Sequence, residues 1–249
     1  MQENAREKTS ARLWRFTTCA LIVALALVLF RTHSSVPPAG DGAENVVTDV
    51  KTLYANSADA VFYLRNLNAD GELKTSGTGF AISAEGLALT AAHVVQNAES
   101  VHAVLSSGEE VEGVAVLSMD REMDTAVLRL PEREEGDYSF LSLEEEIPLS
   151  GEAAYAIGYP LKTVKLIVDG IVSAPEADIN GTPRMLISTD LASGMSGGPI
   201  LCSVGTVIGL SSATLRTMNG VNVSPTTVQL WQAVLPYINL PDGTDPPDA

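Results

Sequence analysis

Three side chains in this sequence have the types and the settings needed for nucleophilic catalysis. Ser196 lies in Gly194-Met195-Ser196-Gly197-Gly198-Pro199. A serine hydroxyl is a weak nucleophile; it needs a base to take its proton and donors to hold the oxyanion its attack creates. Glycines on both sides let the chain turn tightly enough to aim amides at one point, and the N–H groups of Gly194 and Ser196 are the candidate donors. His93 sits in Leu89-Thr90-Ala91-Ala92-His93-Val94-Val95, a base just after an apolar run. Asp124 opens the apolar run Thr125-Ala126-Val127-Leu128, where a carboxylate can orient an imidazole. Taken singly, each also reads as ordinary structure: a tight turn, an idle histidine, a strand-start cap. Their combination carries the chemistry, with separations of 31 (124 − 93) and 72 (196 − 124).

The elements that must position them are mostly short and β-like. Runs at Ala60–Arg65, Thr78–Ser83, Leu87–Ala91, Ser100–Leu105, Val111–Ser118 and Thr125–Leu130 are broken by Gly, Asn, Asp and Ser. An acidic stretch, Glu132–Glu146, interrupted by Pro131 and Gly136, reads as the connection between two halves. Runs resume at Ala153–Ile157, Leu166–Val168, Arg184–Ser188, Gly198–Leu201, Val207–Ser212 and Val221–Val223. Many short strands with turn signals predict an all-β sandwich or barrel fold. A short amphipathic helix is expected over Val46–Ser57 and a closing helix over Gln229–Ile238, with a Pro-rich acidic tail, 241–249, predicted to be disordered.

The N-terminus reads differently. Arg6, Lys8, Arg12 and Arg15 precede an uncharged run, Phe16–Phe30, that ends at Arg31. This predicts a basic segment at 1–15, a transmembrane signal-anchor at 16–31 and a Ser/Pro/Gly/Ala linker at 32–45, with the remainder outside the cytoplasm. A cleaved signal peptide is the rival, since the run is shorter than the ~20 residues of a usual span; a buried helix is a third reading.

Composition excludes several classes. A formal net charge of −16 and a pI near 4.4 oppose binding to a phosphate backbone, so no nucleic-acid partner is expected. Cys19 in the apolar run and Cys202 far along the chain do not form a disulfide framework. His102 lacks ligand-spaced partners and Glu144-Glu145-Glu146 reads as solvated surface, so neither metal nor cofactor is expected. Asn180-Gly181-Thr182 and Asn222-Val223-Ser224 match the glycosylation triplet.

The order His, Asp, Ser is that of trypsin, not the Asp-His-Ser of subtilisin or the Ser-Asp-His of α/β-hydrolases. The segment Ser76–Ala213 resembles the protease domain of the HtrA (Deg) family of trypsin-like serine proteases. The matching pieces, in the family's order, are Ser76-Gly77-Thr78-Gly79-Phe80, Leu89–Val95, Asp124–Leu130, Ala156-Ile157-Gly158-Tyr159-Pro160, Gly170-Ile171-Val172-Ser173-Ala174, Thr189-Asp190, Gly194–Pro199 and Val207-Ile208-Gly209-Leu210. The resemblance implies two antiparallel β-barrels, about 58–131 and 150–228 within a protease domain at 46–240, with the site at their junction. It implies His93 as general base, Asp124 as its orienter, Ser196 as nucleophile and Gly194 with Ser196 as oxyanion donors. Ser211, Ser212 and Ala213 would form the strand that pairs with substrate backbone.

Departures from the family bear on function. Met195 stands where relatives carry Asn or Asp, and the loop from Asp190 to Ser196 is two residues shorter than the usual HtrA loop. After Ala213 only 36 residues (249 − 213) follow, too few for a PDZ domain. PDZ-driven regulation is therefore not expected, and the oligomeric state stays open. Asp190 lies six residues before Ser196 (196 − 190), the offset of trypsin's pocket-base aspartate; the competing alignment gives a small apolar pocket instead. The expected function is a membrane-tethered serine endopeptidase acting on extracytoplasmic polypeptides. The alternatives are a catalytically idle binding module on the same scaffold and an assembly protein whose anchor is the working part.

Overall fold

The computed structural model describes residues 49–133, 136–214 and 220–238. Two seven-stranded sheets account for nearly all of the regular structure. The first contains β1 (Val61–Leu67), β2 (Leu73–Ala81), β3 (Leu87–Thr90), β4 (Ser100–Val104), β5 (Glu110–Val111), β6 (Ala115–Asp120) and β7 (Thr125–Arg129), in the spatial order β5-β4-β1-β2-β3-β7-β6. The second contains β8 (Ala153–Gly158), β9 (Leu166–Ile179), β10 (Thr182–Ile187), β11 (Pro199–Leu201), β12 (Val207–Leu210), β13 (Ala213–Thr214) and β14 (Asn222–Ser224), in the order β12-β11-β8-β9-β10-β14-β13. Every pairing between these strands is antiparallel. The architecture is all-β, two curled half-barrels, with α1 (Val50–Ser57) leading in and α3 (Thr227–Ile238) closing the chain.

Two apolar clusters fill the fold: the first lies in the first half and takes in Ile157, Leu201, Val207 and Leu210 of the second sheet, and a smaller one lies within the second half. Phe62, Leu64, Phe80, Leu89, Leu128 and Leu130 are fully buried in the first, and Met185, Ile187, Met195, Ile200 and Ile208 in the second. Burying each such side chain contributes about 1.5–3 kcal/mol. In α3, Leu230, Val234 and Tyr237 recur at helical spacing and pack into the first core, with the Tyr237 hydroxyl donating to the Leu117 carbonyl at 3.3 Å. Trp231 Nε1 donates to the Glu144 carbonyl at 2.7 Å, tying this helix to the connection between the halves.

Two expectations need correction. Val111–Ser118 is not one strand: β5 ends at Val111, Gly113 takes φ +75°, and β6 starts at Ala115. The run expected at Leu166–Val168 is the opening of a fourteen-residue strand, β9, which continues to a hairpin at Asn180-Gly181, with φ of +57° and +87° there. The apolar run Phe16–Phe30, the linker and the tail 241–249 lie outside the described residues, and no described helix is long and apolar enough to cross a membrane.

Candidate active site

His93 lies on α2 (Ala92–Val95), a single turn after β3. Val94 and Val95 face inward and are buried, which turns His93 outward. The turn is held from β1: buried Asn66 donates Nδ2 to the carbonyls of Val94 and Gln96, at 2.9 and 3.2 Å. Strand pairing then sets His93 against Asp124. Thr90 of β3 lies opposite Ala126 of β7, so two register steps further bring Ala92, the start of α2, across from Asp124.

The Asp124 carboxylate is the centre of the polar network. Its Oδ1 accepts from the His93 backbone N–H at 3.0 Å, and His93 Nδ1 lies 3.0 and 2.8 Å from Oδ1 and Oδ2. Ser212, just after β12, donates its hydroxyl to Oδ2 at 2.6 Å. Nδ1 must carry the proton in that contact, which leaves Nε2 as the basic nitrogen. The electrostatics agree. Hydrogen bonding to Asp124 raises the imidazole above its ordinary value of 6.5, although burial pulls it down. Burial of Asp124 opposes ionisation, but the bonds from His93 and Ser212 outweigh it and hold the carboxyl below the usual range.

Ser196 belongs to a loop fixed by both sheets. Thr78 of β2 donates its N–H to the Ser196 carbonyl at 2.8 Å and its hydroxyl to the Gly194 carbonyl at 2.8 Å, while accepting from the Tyr159 N–H at 3.0 Å. On the other side, Gly197 donates to the Ser211 carbonyl at 2.6 Å and Ser211 donates to the Gly198 carbonyl at 2.8 Å. Gly197, at φ +85°, runs so close to β3 that a Cβ there would lie 2.2 Å from Thr90 Oγ1 and 2.7 Å from the Ala91 nitrogen. The serine loop and the His93 turn are thus in direct contact. Met195 is fully buried in the second core, where it anchors the loop by apolar packing.

The amides of this loop divide into two sets. Met195, Gly197 and Gly198 donate to the carbonyls of Ala192, Ser211 and Met195. Gly194 and Ser196 donate to none among the described residues. The Ala192–Met195 turn closes at 3.0 Å with Gly194 at φ +96°, the positive value a type II turn requires at its third position. Ser196 Oγ makes no hydrogen bond to His93 among the described residues.

The remaining predicted positions are less uniform. Asp190 is exposed, while Thr189 before it is buried and its carbonyl accepts from Asn222 Nδ2. The Ser211 backbone is committed to the serine loop, and Ser212 serves Asp124 with its side chain. β13, which contains Ala213, is an edge strand of the second sheet. No cluster of three or more His, Cys, Asp or Glu able to hold a metal occurs among the described residues. Asn66 and the Ser212–Asp124 bond were not found from sequence, because neither residue lies in a recognisable chemical motif of its own. Thr78 was inside one, Ser76–Phe80, whose role only the contacts define.

Comparison with known proteins fits this geometry. Residues 77–210 match the family described as trypsin-like peptidase domain. A serine protease of Bos taurus, mitochondrial HTRA2, is 33% identical over 208 residues, covering 78% of this chain and 44% of that protein. Putative serine protease HhoB of Synechocystis sp. is 35% identical over 162 residues, 62% of this chain and 38% of its own length. The chain thus spans less than half the length of these relatives. The crystal structure of a serine endoprotease from Yersinia pestis superposes with a TM-score of 0.65 at 22% identity, covering 74% of this chain and 65% of that one, which establishes likeness of fold.

Proposed function

Because this chain belongs to the trypsin-like peptidase domain family, we propose that it is a serine endopeptidase that cleaves polypeptides through Ser196, His93 and Asp124. Ser196 Oγ attacks the scissile carbonyl as His93 Nε2 takes its proton. Asp124 holds the imidazole by Nδ1 and stabilises the imidazolium that forms. The amides of Gly194 and Ser196 receive the oxyanion, the leaving amine takes the proton back from His93, and water activated by the same base releases the acyl group. The observation that carries this reading is the pair of undonated amides at Gly194 and Ser196, beside a carboxylate-bound histidine. Hydrogen bonds between nucleophile and base are commonly long in free enzymes and tighten with substrate, so the missing Ser196–His93 bond fits a resting state.

We further propose that substrate backbone adds to the edge strand β13 beside Ser212, and that the basic segment and apolar run at the N-terminus tether the domain to a membrane, with extracytoplasmic polypeptides as substrates. The second reading, a binding module with an idle triad, draws on Met195 and on the shortened loop before Ser196, which could leave the oxyanion donors misaligned. A fluorophosphonate serine probe and a peptide-hydrolysis assay decide between them. Wild type should be labelled and active. Ser196→Ala should be neither, and His93→Ala should lose on the order of 10⁴–10⁶ in kcat, with a double mutant no worse than the singles. A folded wild type that neither reacts with the probe nor cleaves peptides overturns the endopeptidase reading.

A further inference from the structure

The β6–β7 turn that presents Asp124 is closed by the pairing of Asp120 with Thr125 and further fixed from outside the hairpin. Met123 donates its N–H to Asp120 Oδ1 at 2.8 Å, and Asp124 itself sits at φ +54°, a left-handed conformation uncommon for a non-glycine residue, although Asp tolerates it better than most. His93 holds the carboxylate from within the first half; the backbone leading into it is held from the second sheet. Arg184 on β10 donates Nη1 to the Met123 carbonyl at 3.1 Å and Nη2 to the Glu122 carbonyl, the two peptide groups leading into Asp124. Two residues earlier, Thr182 donates its hydroxyl to Glu122 Oε1 at 2.8 Å. The strand is braced in turn by α3, where Gln229 Nε2 donates to the Pro183 carbonyl at 3.0 Å.

We propose that Arg184 is a positioning residue for the hydrolysis: it holds the Glu122–Asp124 backbone so that the carboxylate meets Nδ1 of His93. The inference rests on the reading of His93 and Asp124 as a catalytic pair. An arginine suits the task because its planar fork offers donors on two nitrogens, enough to span two successive carbonyls; an ammonium is a point charge. The charges around the guanidinium are Asp120, Asp124 and Glu122, and the charge facing His93 is Asp124. A purely electrostatic role and a positioning role shift His93 in opposite directions. Removing a nearby cation raises the imidazole pKa. Letting the carboxylate drift from Nδ1 removes the hydrogen bond that raises it, and so lowers it.

The test measures kcat/KM against pH for full-length wild type, Arg184→Met and Arg184→Lys, with fluorophosphonate labelling and far-UV circular dichroism on each. The expected result for Arg184→Met is a folded protein with kcat about 10–100-fold lower, KM little changed and the acid limb moved to lower pH. Arg184→Lys should recover only part of the rate, with a smaller shift of the same sign; it carries the test if Arg184→Met does not fold. An acid limb that stays in place or moves to higher pH, or full recovery by Arg184→Lys, overturns the positioning role. An inactive, unlabelled wild type refutes the catalytic reading instead, so the two failures are distinct.

Discussion

Met195→Ala probes how the serine loop is anchored. Met195 has no exposed surface; it packs among Ala154, Ala156, Val172, Met185, Ile187, Ile200 and Ile208, and Gly158 passes so near that a Cβ there would lie 2.8 Å from the Met195 Cα. The substitution removes three heavy atoms beyond Cβ. At about 0.8 kcal/mol per methylene-sized group the transfer loss is about 2 kcal/mol. The cavity left between two sheet layers adds to it, within the range of about 2–5 kcal/mol for buried Met→Ala. A loss of about 3 kcal/mol corresponds to a Tm lower by about 6–12 °C in a domain of this size. Met195→Leu, which nearly conserves volume, should cost less than about 1.5 kcal/mol. Urea and thermal unfolding of all three proteins measure these differences. Peptidase activity per folded molecule should fall further in Met195→Ala than in Met195→Leu, because the loop bearing the Gly194 and Ser196 amides loses its anchor. A Met195→Ala protein within about 0.5 kcal/mol of wild type would refute the claim that apolar burial fixes this loop.

Further outcomes follow from the same geometry. Asp124→Asn should lower kcat by about 10⁴, as expected when the imidazole loses its orienting carboxylate. If His93 works as the proposed general base, its free-base form is the active one, so wild-type activity should rise as pH climbs through a value above 6.5, and the acid limb of the residual Asp124→Asn activity should lie lower. Gly197→Ala should cost about 3–5 kcal/mol, since it combines a φ of +85° with a Cβ 2.2 Å from Thr90 Oγ1 and 2.3 Å from the Thr78 carbonyl. Gly108→Ala, with φ +88° but no atom within 4 Å, should cost only about 1 kcal/mol by the same urea titration. Exposed Asp190 predicts that matched peptides with Val before the scissile bond are preferred to those with Arg, and that Asp190→Ser leaves the preference unchanged; a preference for Arg that collapses in Asp190→Ser establishes a basic-specific pocket.

Much of this molecule is legible without coordinates, wherever the determining physics is local. Short β-like runs and the turn residues between them predicted most strands of both sheets, because apolar runs bounded by Gly, Asn and Asp have few other ways to bury themselves; β5 and β6 were merged and β13 was not among the runs. The glycines around Ser196 announced a tight loop, and Gln229–Ile238 announced a closing helix, which the structure shows as Thr227–Ile238. The long β9 was missed although Asn180-Gly181 is a strong hairpin signal; Pro175 and the charges after Ala174 masked the continuation of a strand whose burial is only partial. Tertiary structure alone decided what depends on residues distant in sequence. Thr78 lies 116 positions from the Gly194 carbonyl it bonds, Ser212 lies 88 from Asp124, and Arg184 lies 61 from the Met123 carbonyl. No local pattern encodes such pairs, because their register follows from how two sheets curl and meet. The candidate catalytic residues, His93, Asp124 and Ser196, could be read from the chain itself. The fixing of the free amides by Thr78, the Ser212 donor to the carboxylate and the clamp on its turn exist only where the two half-barrels come together.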